Sequence, residues 1–200
     1  MFDRIREDFN AHDRDPWRPG VWVLLVYRFG CWRYRVRPAI LRKPLSLTYR
    51  FLKTGVQILS GIDLPCEATI GRRLIIDHFG GIIISGDAVI GDDVRLRHGV
   101  TLGLRRTRMP GSPKIGNRVD IGAGAKLLGP IVVGDDAVIG ANAVVLCDVP
   151  AGSLAVGVPA RIVGRRPSAG VTHRELEAQM VSGMFSAADD DPSSNRYPTP

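Results

Sequence analysis

Aliphatic residues recur every six positions through the middle of the chain. They form three runs: Ile70, Ile76 and Ile82; Ile84, Ile90, Leu96 and Leu102; Ile115, Ile121, Leu127, Val133, Ile139 and Val145. A small or apolar residue also lies two positions before each member of the last run. A period of six fits neither an α-helix nor a simple hairpin and is typical of hexapeptide-repeat solenoids. The pattern therefore predicts a mainly β protein, a parallel β-helix over residues 61–164 with the aliphatic side chains facing its axis.

Two interruptions of the repeat indicate where function is concentrated. The frame slips by two residues between Ile82 and Ile84, directly after the sequence DHFGG at residues 77–81. Ile115 follows Leu102 at a spacing of thirteen positions, one more than two repeats, and the segment between them, GLRRTRMPGSPK, is rich in arginine, glycine and proline. Because irregular excursions from a rigid scaffold often carry binding and catalytic residues, we look for the site near both interruptions.

The segments on either side of the repeat differ from it in pattern. Residues 1–60 are predicted to be a helical segment, with helices after Pro19 and after Pro44 that pack on the main body or on a neighbouring subunit. An alternative for these helices is an aromatic and arginine-rich surface for peripheral membrane contact or for an anionic polymer. Residues 165–200 are predicted to be a tail, with a short helix and a disordered end.

Charge and cysteine content narrow the class of protein. The net charge is +7, and all of the excess lies in residues 1–60, so the β-helix is neutral and we expect no nucleic-acid partner. Three scattered cysteines without a CxxC pair argue against a disulfide framework and fit a cytoplasmic protein. The start of the chain is charged rather than apolar, and the run Val21–Tyr27 is too short to span a bilayer.

Several segments of the repeat resemble a known family. They are ATIGRRLIIDHFGGIIISGDAVIGDDVRLRHGVTLG, PKIGNRVDIGAGAKLLGPIVVGDDAVIGANAVV and AVGVPARIVG. Together they are similar to the serine O-acetyltransferase branch of the hexapeptide-repeat acyltransferases, over about residues 60–164. The resemblance implies a left-handed β-helix and transfer of acetyl from acetyl-CoA to the hydroxyl of L-serine, a step of cysteine biosynthesis. It also implies a homotrimer or a dimer of trimers held by a longer helical N-terminal domain, and the shorter N-terminal segment of this chain favours the homotrimer.

The chemistry requires a base, because a neutral hydroxyl must lose its proton as it attacks a thioester. The resemblance assigns this role to His78, and imidazole suits neutral pH. A carboxylate that holds the other ring nitrogen improves such a base, and the candidates are Asp63 and Asp77. One coil of about 18 residues places Asp63 level with Gly81, whereas adjacent side chains in extended chain point to opposite faces. We therefore expect Asp63 to orient His78 and rank Asp77 second.

Other site residues follow from the resemblance. The expected acceptor-binding residues are His98, Arg106 and Arg108. The expected acetyl-CoA contacts, in a groove between neighbouring β-helices, are Gly103, Ala123, Lys126 and Arg161. A structural role remains the alternative for His98, and repeat packing is the alternative for Ala123.

Two departures from the family concern the acceptor and a partner. Gly111 and Ser112 stand where serine acetyltransferases carry Arg-His before Pro-Lys. The chain is also similar to colanic-acid-type exopolysaccharide acetyltransferases, so a sugar hydroxyl remains the alternative acceptor. The chain ends in YPTP, whereas family members that dock on a cysteine synthase end in isoleucine, so we do not expect that partner.

Two further classes are weighed against the enzyme. Carbonic-anhydrase-like proteins share this solenoid but need three histidines that converge on zinc, and only His78 and His98 lie on the scaffold here. We therefore expect no metal. A non-catalytic binding scaffold is the other alternative.

Overall fold

A computed structural model describes residues 2–37, 39–106 and 111–165 of the chain. Three helices come first: α1 (Phe2–Ala11), α2 (Pro19–Arg33) and α3 (Ala39–Ser60). The strands that follow are β1 (Ile62–Asp63), β2 (Thr69–Ile70), β3 (Ile75–Ile76), β4 (Ile82–Ile84), β5 (Val89–Ile90), β6 (Arg95–Leu96), β7 (Thr101–Gly103), β8 (Lys114–Ile115), β9 (Asp120–Ile121), β10 (Lys126–Leu128), β11 (Val132–Val133), β12 (Val138–Ile139), β13 (Val144–Val145), β14 (Ser153–Gly157) and β15 (Ala160–Arg165).

The strands stack into a three-sided parallel solenoid. The first face has the order β1-β4-β7-β10-β13, the second β2-β5-β8-β11 and the third β3-β6-β9-β12-β14-β15. All thirteen predicted aliphatic positions are at most 3% exposed, as expected for side chains that face the axis. The mainly β, parallel β-helix class with an N-terminal helical segment is therefore confirmed.

The slip in the repeat lengthens the first coil. Ile62 pairs with Ile82, twenty residues later, whereas Ile84 pairs with Leu102 at the regular spacing of eighteen. The two additional residues fall in the corner before β4, where Gly80 and Gly81 have φ of 99° and 69°. Such left-handed backbone favours glycine, which has no Cβ to clash.

The longer coil corrects one prediction. Asp63 lies opposite Ile83 in the next coil and not level with Gly81, so the expected register was wrong. The physical reason is that the corner absorbs two residues that a uniform coil of eighteen does not contain. Asp63 nevertheless lies on the first strand of the coil that ends at the corner with His78.

A ladder of alternating charges stabilises the corner between the second and third faces. Arg73, Asp93, Arg118 and Asp136 all have positive φ, between 52° and 60°. Arg73 makes two hydrogen bonds to Asp93, of 2.5 and 2.6 Å, and Arg118 makes two to Asp136, of 2.8 and 2.7 Å. The hydrogen bonds from Arg73 lower the pKa of Asp93. This contribution to stability is present at neutral pH and is lost as the pH falls through the lowered pKa.

The N-terminal helices cover the open edge of the first coil. His12, which is fully buried, accepts the N–H of Ile76 through Nε2 at 3.2 Å. The hydroxyl of Tyr27 accepts the N–H of Ile70 at 3.1 Å and donates to the carbonyl of Ala68 at 2.7 Å. These side chains satisfy backbone groups that an uncovered edge would present for aggregation.

A buried ion pair fixes the helices to each other and to the solenoid. Arg28 on α2 donates to Asp8 on α1 through Nε at 2.9 Å, and both side chains are at most 5% exposed. The same guanidinium donates to the carbonyls of Ile70 and Gly71 at 3.1 and 2.6 Å. One arginine therefore joins two helices and the first coil.

The observed helix bounds differ slightly from the expected ones. The helix α3 begins at Ala39 rather than after Pro44, so the proline lies inside it. A proline this near the start costs the helix one backbone hydrogen bond, which packing of a 22-residue helix can offset.

The end of the described chain is an antiparallel hairpin of β14 and β15 beside β12. The predicted tail lies outside the described residues from position 166 onward. The division into residues 1–60, 61–164 and 165–200 therefore stays a prediction. In the described part of the chain, the helices are too short or too polar to cross a membrane.

Candidate active site

Two histidines lie together at the corner between the third and first faces. We call residues 77–81 and 97–100 the histidine corner. The exposed rings of His78 and His98 meet edge to face, with centroids 5.9 Å apart. Successive coils stack tightly here, since a Cβ on Gly81 would lie 3.3 Å from the Cα of Gly99. Glycine at this corner therefore allows the close approach that places the two imidazoles side by side.

The two carboxylates near the histidine corner are engaged elsewhere. Asp63 Oδ1 lies 3.0 Å from Lys53 Nζ on α3 but accepts no hydrogen bond of good geometry, although this oxygen is shielded from solvent. Asp77 is 14% exposed, and its Oδ2 lies 3.6 Å from Arg95. Among the described residues of one chain, neither carboxylate hydrogen-bonds His78. The roles of Asp63 and Asp77 therefore stay predictions.

Lys126 is tied to the histidine corner. The pairing of strands aligns Asp63, Ile83, Thr101 and Lys126 along the outside of the first face. Lys126 Nζ donates to the carbonyl of Gly99 at 2.5 Å and to the hydroxyl of Thr101 at 3.1 Å. If Lys126 also binds the coenzyme, its ammonium must do so with the donor capacity that these two hydrogen bonds leave.

The small residues of GAGAK divide between two environments. Ala125 is fully buried and packs in the repeat, as the structural interpretation of this segment expects. Ala123 is half-buried at the same corner as His98, because Gly124 N donates to the His98 carbonyl at 2.9 Å. The coenzyme contact of Ala123 therefore stays a prediction.

A second candidate region lies where the long excursion leaves the solenoid. Gly103 ends β7, and the exposed Arg106 follows it, whereas Arg108 lies outside the described residues. A cavity of about 400 Å³ opens at the base of the excursion. Its lining residues are Asp87, Gly111, Ser112, Lys114, Pro130 and Val132.

The sequence reasoning did not single out Asp87 or Lys114. A signal was present, because Lys114 and Val132 are the exposed residues of paired strands directly beside the excursion. We call this cavity the loop cavity.

The predicted site residues fall into three places in one chain. Asp63, Asp77, His78, His98, Ala123 and Lys126 are at or beside the histidine corner. Gly103 and Arg106 lie at the opposite edge of the first face, about 10 Å away along a three-residue strand. Arg161 is exposed on β15.

The arrangement suits proton transfer at an exposed corner. An imidazole with free access to solvent can accept a proton from a bound hydroxyl near neutral pH. Within the described ranges, no three or more His, Cys, Asp or Glu side chains are grouped to hold a metal ion.

Known proteins of similar sequence bear directly on this arrangement. Residues 112–147 match the family described as bacterial transferase hexapeptide (six repeats). The chain is 41% identical to a serine acetyltransferase of Mycobacterium tuberculosis, over 85% of this chain and 77% of that protein. It is 47% identical to a serine acetyltransferase of Helicobacter pylori, over 72% of this chain and 81% of that protein.

Solved structures agree with the sequence relatives. A Brucella abortus serine acetyltransferase in complex with coenzyme A superposes with a TM-score of 0.72 at 33% identity, covering 83% of this chain and 68% of that one. A soybean serine acetyltransferase complexed with serine superposes with a TM-score of 0.69 at 35% identity, covering 80% and 68%. These neighbours are left-handed β-helix proteins, which confirms the expected handedness.

Proposed function

The chain belongs to the serine acetyltransferase family of hexapeptide transferases, and from this membership we propose that it acetylates the hydroxyl of L-serine with His78 as general base. The observation that carries the proposal is the exposed pair of His78 and His98 at one corner of the solenoid. The acyl donor is acetyl-CoA, which the relative crystallised with coenzyme A supports. The product, O-acetylserine, would enter cysteine biosynthesis.

The reaction requires one proton to move as one acyl bond replaces another. His78 takes the proton of the serine hydroxyl as the oxygen attacks the thioester carbonyl. The new C–O bond forms, the C–S bond breaks, and the imidazolium returns the proton to the departing thiolate. Asp63, with Asp77 as the alternative, stabilises the imidazolium that forms in between.

The acetyl-CoA contacts are proposed at the first face and the loop cavity. Gly103, Ala123 and Lys126 border the face along which the pantetheine arm would lie, and Arg161 is a guanidinium suited to a phosphate. Lys114 in the loop cavity offers a further cation. The cavity volume of about 400 Å³ is in the range of small-molecule sites.

A trimer would bring the separate regions of the site together. In a cyclic assembly each interface joins two different edges of the subunit. The histidine corner and the loop cavity lie on opposite sides of the first face, so the histidine corner of one copy can meet the excursion of the next. We therefore propose that the active site lies between subunits of a homotrimer.

The uncovered side of α3 also supports self-association. Its apolar stripe consists of Ile40, Leu41, Leu47, Phe51, Leu52, Ile58 and Leu59. These side chains are 45–82% exposed in a single chain, which is more apolar surface on one helix than a soluble monomer usually leaves uncovered. We propose that further copies of this chain cover the stripe.

Charge placed in the apolar stripe is expected to break the assembly. A Phe51→Glu/Ile58→Glu double variant should reduce the mass measured by light scattering, because burying two carboxylates in an apolar contact is costly. Gln57→Glu adds charge on the polar side of the same helix and should leave the mass unchanged. A double variant of native mass would contradict the interface. Loss of binding to anionic vesicles, with mass unchanged, would favour the membrane alternative.

The acceptor is tested by thiol release from acetyl-CoA. We expect saturable release with L-serine and much less with homoserine or a panel of sugars. Homoserine places its hydroxyl one methylene further from the amine and carboxylate, and a sugar lacks both of these groups. Gly111 and Ser112 are the observation that keeps a sugar acceptor as the second candidate. Saturation by a sugar, with serine inactive, would overturn the serine assignment.

We infer a cytoplasmic location from the cysteines. Cys31, Cys66 and Cys147 are all free thiols. Free thiols are typical of a reducing compartment.

A further inference from the structure

A cavity between α1 and α2 has no role in the proposed reaction. It measures about 110 Å³ and is lined by Arg4, Tyr27, Arg28, Cys31, Trp32 and Arg35. We call it the arginine cavity. Its walls share no residue with the histidine corner or the loop cavity.

The charges that face the arginine cavity are unbalanced. Arg28 is already matched, because it pairs with the buried Asp8 and donates to two backbone carbonyls. The side chains of Arg4 and Arg35 make no hydrogen bond or ion pair with any residue that the structure describes. Two guanidiniums therefore face one small cavity without an anion, and their mutual repulsion would be relieved by a bound negative charge.

The packing of the two helices fixes where the backbone of each arginine lies, whereas the side chains of Arg4 and Arg35 are exposed. Tyr27, Cys31 and Arg35 are spaced four residues apart on one side of α2 and its continuation, so they line up along the groove. Arg4 approaches from α1, whose position is fixed by the Asp8–Arg28 pair. The groove is thus a formed feature of the N-terminal helices, with the exposed side chains of Arg4 and Arg35 among its lining residues.

The size of the cavity limits its ligand. At about 30 Å³ per water, the volume of 110 Å³ corresponds to three or four waters. That space admits one oxyanion group. The planar fork of arginine binds tetrahedral and carboxylate oxyanions with two hydrogen bonds, and the rings of Tyr27 and Trp32 form apolar walls around them.

We propose that the arginine cavity binds a phosphate or sulfate group, either as the free ion or at the end of a small metabolite. Arg4 and Arg35 supply the charge, and Arg28 supplies a fixed floor. The site is separate from the acetyl-transfer site, so the proposal stands whether or not serine is the acceptor.

Alkylation of Cys31 reports on occupancy. Cys31 lines the cavity, whereas the exposed Cys147 lies at the far end of the solenoid and serves as an internal reference. Burial raises the pKa of the Cys31 thiol, so labelling with iodoacetamide is best followed near about pH 8.5. Inorganic phosphate should slow modification of Cys31 about tenfold at ten times its dissociation constant and leave Cys147 unchanged. Peptide mass spectrometry measures both rates in one sample.

A charge-removing variant separates binding from a general salt effect. In an Arg4→Gln/Arg35→Gln variant, phosphate should no longer protect Cys31, and chloride at equal ionic strength should not protect it in the native chain. Protection of Cys31 is also measured with sulfate and with a phosphate monoester. Stronger protection by the free ions indicates a free-ion site, and stronger protection by the monoester indicates a site for the terminal group of a metabolite. Absence of protection up to about 0.15 M phosphate, or equal protection in the double variant, would overturn the proposal.

Discussion

A His78→Ala variant is expected to lower kcat/KM for acetyl transfer by about 10²–10⁴-fold without changing the fold. The loss follows from removing the group that accepts the proton of the attacking hydroxyl. Because His78 is exposed and makes no hydrogen bond within the described residues, its removal should cost the solenoid little stability. Thiol release from acetyl-CoA measures the rate, and circular dichroism with light scattering checks the fold and the assembly.

His98→Ala is the matched control for this variant. Both imidazoles are exposed, and their rings are in contact, so the two substitutions disturb the corner to a similar degree. We expect a smaller loss for His98→Ala, mainly in KM, because its predicted role is to line the acceptor site. If His98→Ala loses the activity and His78→Ala retains it, the base has been assigned to the wrong histidine.

The partner of His78 can be identified in the same assay. Asp63→Asn and Asp77→Asn each remove one negative charge while keeping the size of the side chain. Replacement of the carboxylate that orients His78 should lower kcat. It should also shift the acidic limb of the pH profile to lower pH, because an imidazolium without its counter-charge loses its proton more readily. The other variant should change neither. If both variants have the pH profile of the native chain, neither carboxylate orients His78.

An Asp8→Ala variant is expected to lower the free energy of unfolding by about 3–5 kcal/mol. The substitution leaves Arg28 buried without its counter-charge, since the two side chains are only 4–5% exposed. Urea unfolding at one fixed protein concentration measures the difference, because the stability of an assembled protein depends on concentration.

Arg72→Gln provides the control for the buried pair. Arg72 also pairs with α1, through Glu7 at 3.5 Å, but its side chain is 51% exposed. Exposed pairs are worth about 0–1 kcal/mol, so this variant should be nearly neutral. An Asp8→Ala variant as stable as Arg72→Gln would contradict the role assigned to the buried pair. An Asp8→Ala/Arg28→Met double variant should recover part of the loss by removing the stranded charge.

Much of the solenoid could be predicted from the sequence because its pattern is local. The direction of each side chain follows from the alternation along a short strand, and the period of six repeats that strand around the axis. For this reason all thirteen repeat positions from Ile70 to Val145 are buried as expected. The resemblance of DHFGG and its neighbours placed His78 beside the site for a similar reason, since a corner residue is fixed by its own coil.

Contacts between distant segments could not be predicted in this way. The expected register of Asp63 was wrong because the first coil contains twenty residues rather than eighteen. The two additional residues lie in one corner, and the repeat pattern does not determine the length of a corner. His12 lies outside the repeat, yet its ring accepts the N–H of Ile76, 64 residues later. Nothing in the local sequence connects them, since the contact depends on where α1 packs.

The sequence by itself therefore determined the repeat, the corner that bears His78 and the class of reaction. Only the tertiary structure decided which carboxylate faces which cation, that Arg28 and Asp8 form one buried pair, and that Arg4 and Arg35 share a cavity. The physical reason is that strand direction and burial follow from residues close in sequence, whereas charge pairing depends on side chains that only packing brings together.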